Sequence, residues 1–252
     1  MRILLILVFI YSLNSCKKET QSENIYSQQS DSDSVIIQNN NYFDLPADSA
    51  PRFVNVSYID LNKITRISRF RSGIGHDYSD EFEFCRSMKH YFDPGIYSND
   101  TIRIFSPVNG KVVRMFSEWA GNQIQIQSTD FPAFTFILFH VNSFPFVLEN
   151  ADLEPGQLIG YHIGNMTMSD IAVKVNTSVN GPKADSISQP GLRLFSIFQL
   201  MSDSLFHNFQ LKGIANRNDM IISEEDRNSS PLNCNGEVFQ NEGLLQNWIT
   251  LQ

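Results

Sequence analysis

Residues 102–175 are a succession of strand-length apolar segments cut by glycine and proline turns. Ile102-Arg103-Ile104-Phe105 alternates, Ser106-Pro107-Val108-Asn109-Gly110 turns, and Lys111-Val112-Val113-Arg114-Met115-Phe116 extends again. Ala120-Gly121-Asn122 leads into Gln123-Ile124-Gln125-Ile126-Gln127, a strict period of two. Its glutamine face reads as solvated, with sugar or peptide contact as the other use. Phe134-Thr135-Phe136-Ile137-Leu138-Phe139-His140 is apolar on both faces and predicts a buried strand. Glu154-Pro155-Gly156-Gln157 turns into Leu158-Ile159-Gly160-Tyr161, and Asp170-Ile171-Ala172-Val173-Lys174-Val175 closes the series. Short, evenly spaced strands bury their apolar faces only by pairing and stacking. They predict a mainly β fold, an antiparallel sandwich or partly closed barrel.

The flanks differ from this centre. Arg2 precedes an apolar run over residues 3–10, too short to span a bilayer, which ends in Leu13-Asn14-Ser15-Cys16. Residues 1–16 resemble a bacterial lipoprotein signal peptide with a lipobox, in which Cys16 is lipidated and anchors the chain. An ordinary cleaved signal peptide is the other reading. Residues 17–50, rich in Ser, Gln, Asn and Asp, bury almost nothing and read as a polar tether, with Val35-Ile36-Ile37 as a short apolar interruption. The β domain spans residues 51–182. In residues 183–252 Leu194, Phe198, Met201, Leu205 and Phe209 follow helical spacing toward a stop at Lys212-Gly213, and Ser223 precedes an acidic first turn. This predicts a smaller helical C-terminal appendage. A net charge of -8 argues against a nucleic-acid partner, which needs a basic surface.

The side chains that suggest chemistry are few. Gly75-His76-Asp77-Tyr78-Ser79-Asp80 places His76 and Asp80 four apart just after a glycine, so both could turn toward one point. His140 ends the buried strand, and Asp170 opens the last one. Asp170 and Ala172 share a face there, because strand side chains alternate. Cys85 and Cys234 can pair in an oxidising compartment, tying the C-terminal segment to the loop after His76 and Asp80; two separate buried thiols are the alternative. His90 lies in a segment read as irregular or a short helix, and His207 on a helix, so neither is favoured as a ligand. His162 reads as a neighbour of the site or as exposed.

In order, His76-x-x-x-Asp80, Ser106-Pro107-Val108-Asn109-Gly110, Gly121-Asn122, Phe139-His140 and Pro155-Gly156-Gln157-Leu158-Ile159-Gly160 resemble the M23 family of zinc metallopeptidases, the lysostaphin/LytM-like enzymes that cut peptidoglycan cross-bridges. The match covers residues 66–176, with an insertion at 81–101. The resemblance implies an M23-like β fold, with His76 and Asp80 as metal ligands and His140 as an active-site histidine. The departure is the final His-x-His motif, replaced here by Asp170-Ile171-Ala172. Alanine cannot ligate a metal, so the usual zinc site is incomplete. Asp170 could supply a third ligand, giving a His/Asp/Asp site for zinc or a harder divalent ion with a weaker Lewis acid. The expectation is a lipid-anchored protein of the cell envelope with a degenerate, non-catalytic domain. It would bind an envelope polymer such as peptidoglycan or regulate a cell-wall hydrolase. The alternative is a metal-dependent hydrolase using His76, Asp80 and Asp170 as ligands and His140 as acid/base.

Overall fold

A computed structural model describes residues 41–95, 102–163, 167–178 and 191–252. The lipobox with Cys16, the tether up to residue 40, and the turn at Asn180-Gly181-Pro182 lie outside the described residues. The chain divides after residue 37, and the unit described is Gln38–Gln252.

The strands are β1 (Arg66–Ser68), β2 (His90–Asp93), β3 (Arg103–Phe105), β4 (Gly110–Glu118), β5 (Gly121–Ser128), β6 (Phe134–Ser143), β7 (Asp152–Leu153), β8 (Leu158–His162), β9 (Ser169–Asn176) and β10 (Leu192–Phe195). β11 (Cys234–Asn235), β12 (Val238–Phe239) and β13 (Trp248–Thr250) follow the helices α1 (Ile197–Leu200), α2 (Asp203–Gln210) and α3 (Glu224–Ser229). All but β11 and β12 form one open sheet along β13-β1-β2-β9-β6-β5-β4-β7, with β10 beside β9 and β3 and β8 branching from β6. The ladders are antiparallel. The expected strands from 102 to 175 are all present. The half-buried Gln123, Gln125 and Gln127 alternate with buried Ile124 and Ile126, as the period of two requires.

The C-terminal segment holds the expected small helical part and also adds strands to the sheet. Leu194 lies in β10, because Leu192–Phe195 pairs with the free side of the second half of β9. β13 extends the sheet beyond β1. The helices between them are short. α2 starts where the Ser202 hydroxyl accepts from the Leu205 amide (3.2 Å), and α3 where Ser223 accepts from Asp226 (3.0 Å). Phe198, Leu205 and Phe209 bury their side chains in the main core.

The sheet has two faces with different contents. Phe134, Phe136, Leu138 and Val141 of β6, Ile171, Val173 and Val175 of β9, and Phe92 of β2 enter the large core. Ile137, Phe139 and Ala172 enter a smaller cluster with Phe70, Met88 and Leu194. This second face carries the candidate site.

Candidate functional site

Three strands and one loop build the site. β2 and β9 pair with Tyr91 opposite Asp170, so their side chains share a face. Lys89 immediately precedes β2 and, two residues from Tyr91, points the same way. β6 lies on the other side of β9 and brings Phe139 to that face.

His140 should by simple alternation face the opposite way. A bulge prevents this. Asn122 pairs with Val141 and Ile124 with Leu138, so Phe139 and His140 together oppose one residue of β5. His140 adopts φ 60°, a conformation uncommon for non-glycine residues. The extra residue keeps His140 beside Phe139 and returns Val141 to the large core.

His76 comes from the loop between β1 and β2, which is heavily fastened. Asp77 donates its amide to Glu237 O (2.7 Å), and its carboxylate accepts from the amides of Cys85 (3.2 Å) and Arg86 (3.1 Å). Gly73 N donates to Asn247 Oδ1 (2.9 Å). Arg71 grips Glu83 with two bonds (2.7 and 2.6 Å), and Arg86 shares the same carboxylate (2.6 Å). Cys85 and Cys234 form a disulfide with Cα atoms 5.7 Å apart. Gly75 has φ 76°, and a side chain there would run into the Tyr91 hydroxyl.

At the centre stands Lys89, which the motif reading did not include. Its Nζ donates to Asp170 Oδ2 at 2.7 Å and to His76 Nε2 at 3.2 Å. His76 Nδ1 donates to Asp77 O (2.9 Å), leaving Nε2 with its lone pair toward the ammonium. The rings of Phe139, Tyr78 and Tyr91 surround the same ammonium at 4.0, 4.7 and 5.3 Å to their centroids. The Lys89 side chain is 2% exposed and that of Asp170 0%. Burial works against the Lys89 charge, but the Asp170 carboxylate, together with the Tyr91 and Tyr78 hydroxyls, more than offsets it and holds the ammonium well above the ordinary lysine range. Lys89 is therefore neither a nucleophile nor a base at neutral pH. Burial also pushes the Tyr78 hydroxyl up to about 12, so it stays protonated.

His140 joins the cluster from the other side. Its Nε2 lies 3.3 Å from Asp170 Oδ1, an ion-pair distance, and its Nδ1 faces Ala120 O at 3.2 Å. Of the four expected site residues, the structure thus brings together His76, His140 and Asp170. Asp80 is directed elsewhere, because its two carboxylate oxygens accept from the amides of Phe82 (2.8 Å) and Leu194 (2.9 Å). Burial raises its carboxyl pKa, and these two amides oppose the rise. Asp80 fastens the loop to β10 instead of turning toward His76. His90 is buried and structural, with Nδ1 on Ser68 O (2.8 Å) and Nε2 on Ser196 Oγ (2.7 Å). His162 is buried too.

A metal held by His76, Asp80 and Asp170 does not fit this arrangement. Asp80 is committed to two amides, and the position facing His76 Nε2 and Asp170 Oδ2 is filled by the Lys89 ammonium. Among the described residues no three His, Cys, Asp or Glu side chains gather as a metal site. The site is partly open at its histidines. His76 is 43% and His140 15% exposed, and Trp119, 76% exposed, precedes the Ala120 carbonyl that His140 faces.

No family model matches the sequence. No curated protein matches it either. Among solved structures, one from the SpoIIQ–SpoIIIAH pore-forming complex is similar over 49% of this chain and 84% of its own, at 10% identity and a TM-score of 0.35. The solution structure of lysostaphin is similar over 45% of this chain and 49% of its own, at 15% identity and a TM-score of 0.29. With both scores below 0.5, the functional reading rests on the residues themselves.

Proposed function

We propose that this protein is an exported lipoprotein, anchored through Cys16, whose M23-like β domain is non-catalytic. It binds a cell-envelope polymer such as peptidoglycan, and through it influences cell-wall hydrolysis. One observation carries the reading: the Lys89 ammonium fills the gap between His76 Nε2 and Asp170 Oδ2, where a peptidase of this kind would need a metal with an open water position. An ammonium has no vacant coordination position and cannot activate water in that way. The accessible edges of His76 and His140 and the exposed Trp119 leave a surface suited to a polymer that stacks on an indole and bonds to imidazoles.

The test is sedimentation of the mature protein with insoluble peptidoglycan, with and without a chelator, together with assay of the soluble fraction. The expected result is co-sedimentation that tolerates chelation, weakens in Trp119→Ala, and releases no soluble fragments. Release that requires a divalent ion and is lost in His76→Ala would contradict the reading and favour a metal-dependent hydrolase.

A further inference from the structure

The glutamine face of β5 continues the face of the sheet that carries the site. Gln123, Gln125 and Gln127 point away from the large core, which Ile124 and Ile126 enter. Phe139 and His140 together oppose Gln123, and Ile137 stands opposite Gln125. On the other side β4 sets Phe116 opposite Gln123, Arg114 opposite Gln125 and Lys111 opposite Gln127. Polar and aromatic side chains therefore run from His140 across two strands, and Trp119 stands in the turn that joins those strands. The end of this surface far from His140 is satisfied within the protein. The Gln127 amide donates to Pro132 O (2.8 Å), and Lys111 pairs with Asp152 (2.7 Å). The near end is not. Among the described residues the half-buried amides of Gln123 and Gln125 bond to no protein group, and Arg114 has the Phe116 ring at 4.2 Å but no carboxylate.

We infer that Gln123 and Gln125, with Arg114, Phe116 and Trp119, bind the sugar strand of a polysaccharide whose residues carry acetamido groups. The inference rests on the reading of this protein as a binder of an envelope polymer, and it names the part of the polymer that is held. A glutamine amide carries a donor and an acceptor side by side, and an acetamido group meets both reciprocally. Phe116 and the exposed Trp119 offer flat apolar faces to the C–H side of a sugar ring, and Arg114 adds donors for hydroxyl or carbonyl oxygens. A peptide suits this surface less. The backbone of β5 is paired on both sides, by β4 and β6, so an extended peptide lying here finds none of the main-chain partners it would gain at a sheet edge. A strongly acidic polysaccharide suits it less as well, because the protein carries a net charge of -8.

The experiment titrates the mature protein with three soluble probes: chitohexaose, whose sugars carry acetamido groups; cellohexaose, which has the same linkage without them; and a tetrapeptide of alanine, glutamate and lysine. Calorimetry gives the affinity, and amide shifts in nuclear magnetic resonance give the contact surface. Chitohexaose is expected to bind at least about tenfold more tightly than either of the others, with the largest shifts at Phe116, Gln123, Gln125 and their neighbours. Gln123→Ala/Gln125→Ala is expected to weaken that binding at least about fivefold. Arg114 is exposed, so Arg114→Ala keeps the test decisive if the double variant misfolds, and it is expected to weaken binding about threefold or more. Equal binding of cellohexaose, preference for the peptide, no measurable binding of chitohexaose, or binding that neither variant weakens overturns the inference. Co-sedimentation with the whole polymer but no binding of chitohexaose would defeat this inference and leave the proposed function standing. Binding of chitohexaose together with metal-dependent release of fragments would do the reverse.

Discussion

Replacing Lys89 by Met tests how the site is held together. The substitution keeps an unbranched stem, one atom shorter than that of lysine, but leaves the Asp170 carboxylate, fully buried, without its 2.7 Å partner. Removing one member of a buried ion pair costs about 3–5 kcal/mol, because the remaining charge loses its compensation. The contacts of the ammonium with three rings add about 0.5–2 kcal/mol, part of which a methionine sulfur on the same rings restores. Lys89→Met is therefore expected to lower stability by about 3–5 kcal/mol. Lys89→Met/Asp170→Asn removes both charges and should lose clearly less than the sum of the single variants, with a coupling of about 2–3 kcal/mol. Urea unfolding followed by circular dichroism measures these differences, with an unchanged m-value as the check that the unfolding transition is the same. A cost below about 1 kcal/mol for Lys89→Met, or simple additivity, would refute the reasoning.

Burial pushes the His90 imidazole down to about 4 from its ordinary 6.5. A depressed folded value means that its neutral form stabilises the fold above pH 6.5, and that this contribution is lost as pH falls through 6.5 toward 4. At 1.36 kcal/mol per unit the loss is about 3 kcal/mol, seen as an acid-side drop in urea stability that His90→Gln should flatten. The disulfide closes a separation of 149 residues, so Cys85→Ser/Cys234→Ser should destabilise by about 2–5 kcal/mol and speed hydrogen exchange of the Asp77 amide. Unchanged exchange there would mean that the disulfide does not hold the His76 loop. Gly75→Ala meets both a positive φ and the Tyr91 hydroxyl, and a loss of about 1–3 kcal/mol in the same unfolding assay is expected.

The strands between 102 and 176 were legible because their alternation and turn residues repeat without conflict. Leu194 misled, since a position four before Phe198 also suits a strand followed by a one-turn helix, and the unpaired side of β9 decides between them. At the site, the convergence of His76, His140 and Asp170 followed from motif order. The way His140 reaches it did not, because a bulge opposite Gln123 depends on how two strands pair. Spacing and the family resemblance both pair Asp80 with His76, whereas the amides of Phe82 and Leu194 claim it through the pairing of β10, which neither signal carries. Lys89 is concealed in the sequence because residues 83–92 read as an irregular segment or a short helix. The available signal is the alternation of His90 and Phe92 with Lys89 and Tyr91, which puts a lysine and a tyrosine on one side of β2 and its lead-in.

The most direct test of the central claim is a crystal structure of the mature protein grown in excess zinc, with anomalous scattering recorded at the zinc edge. The account predicts the Lys89 nitrogen between His76 Nε2 and Asp170 Oδ2, and no anomalous peak there. An anomalous peak at that point, with the Lys89 side chain displaced from the three rings, would contradict it.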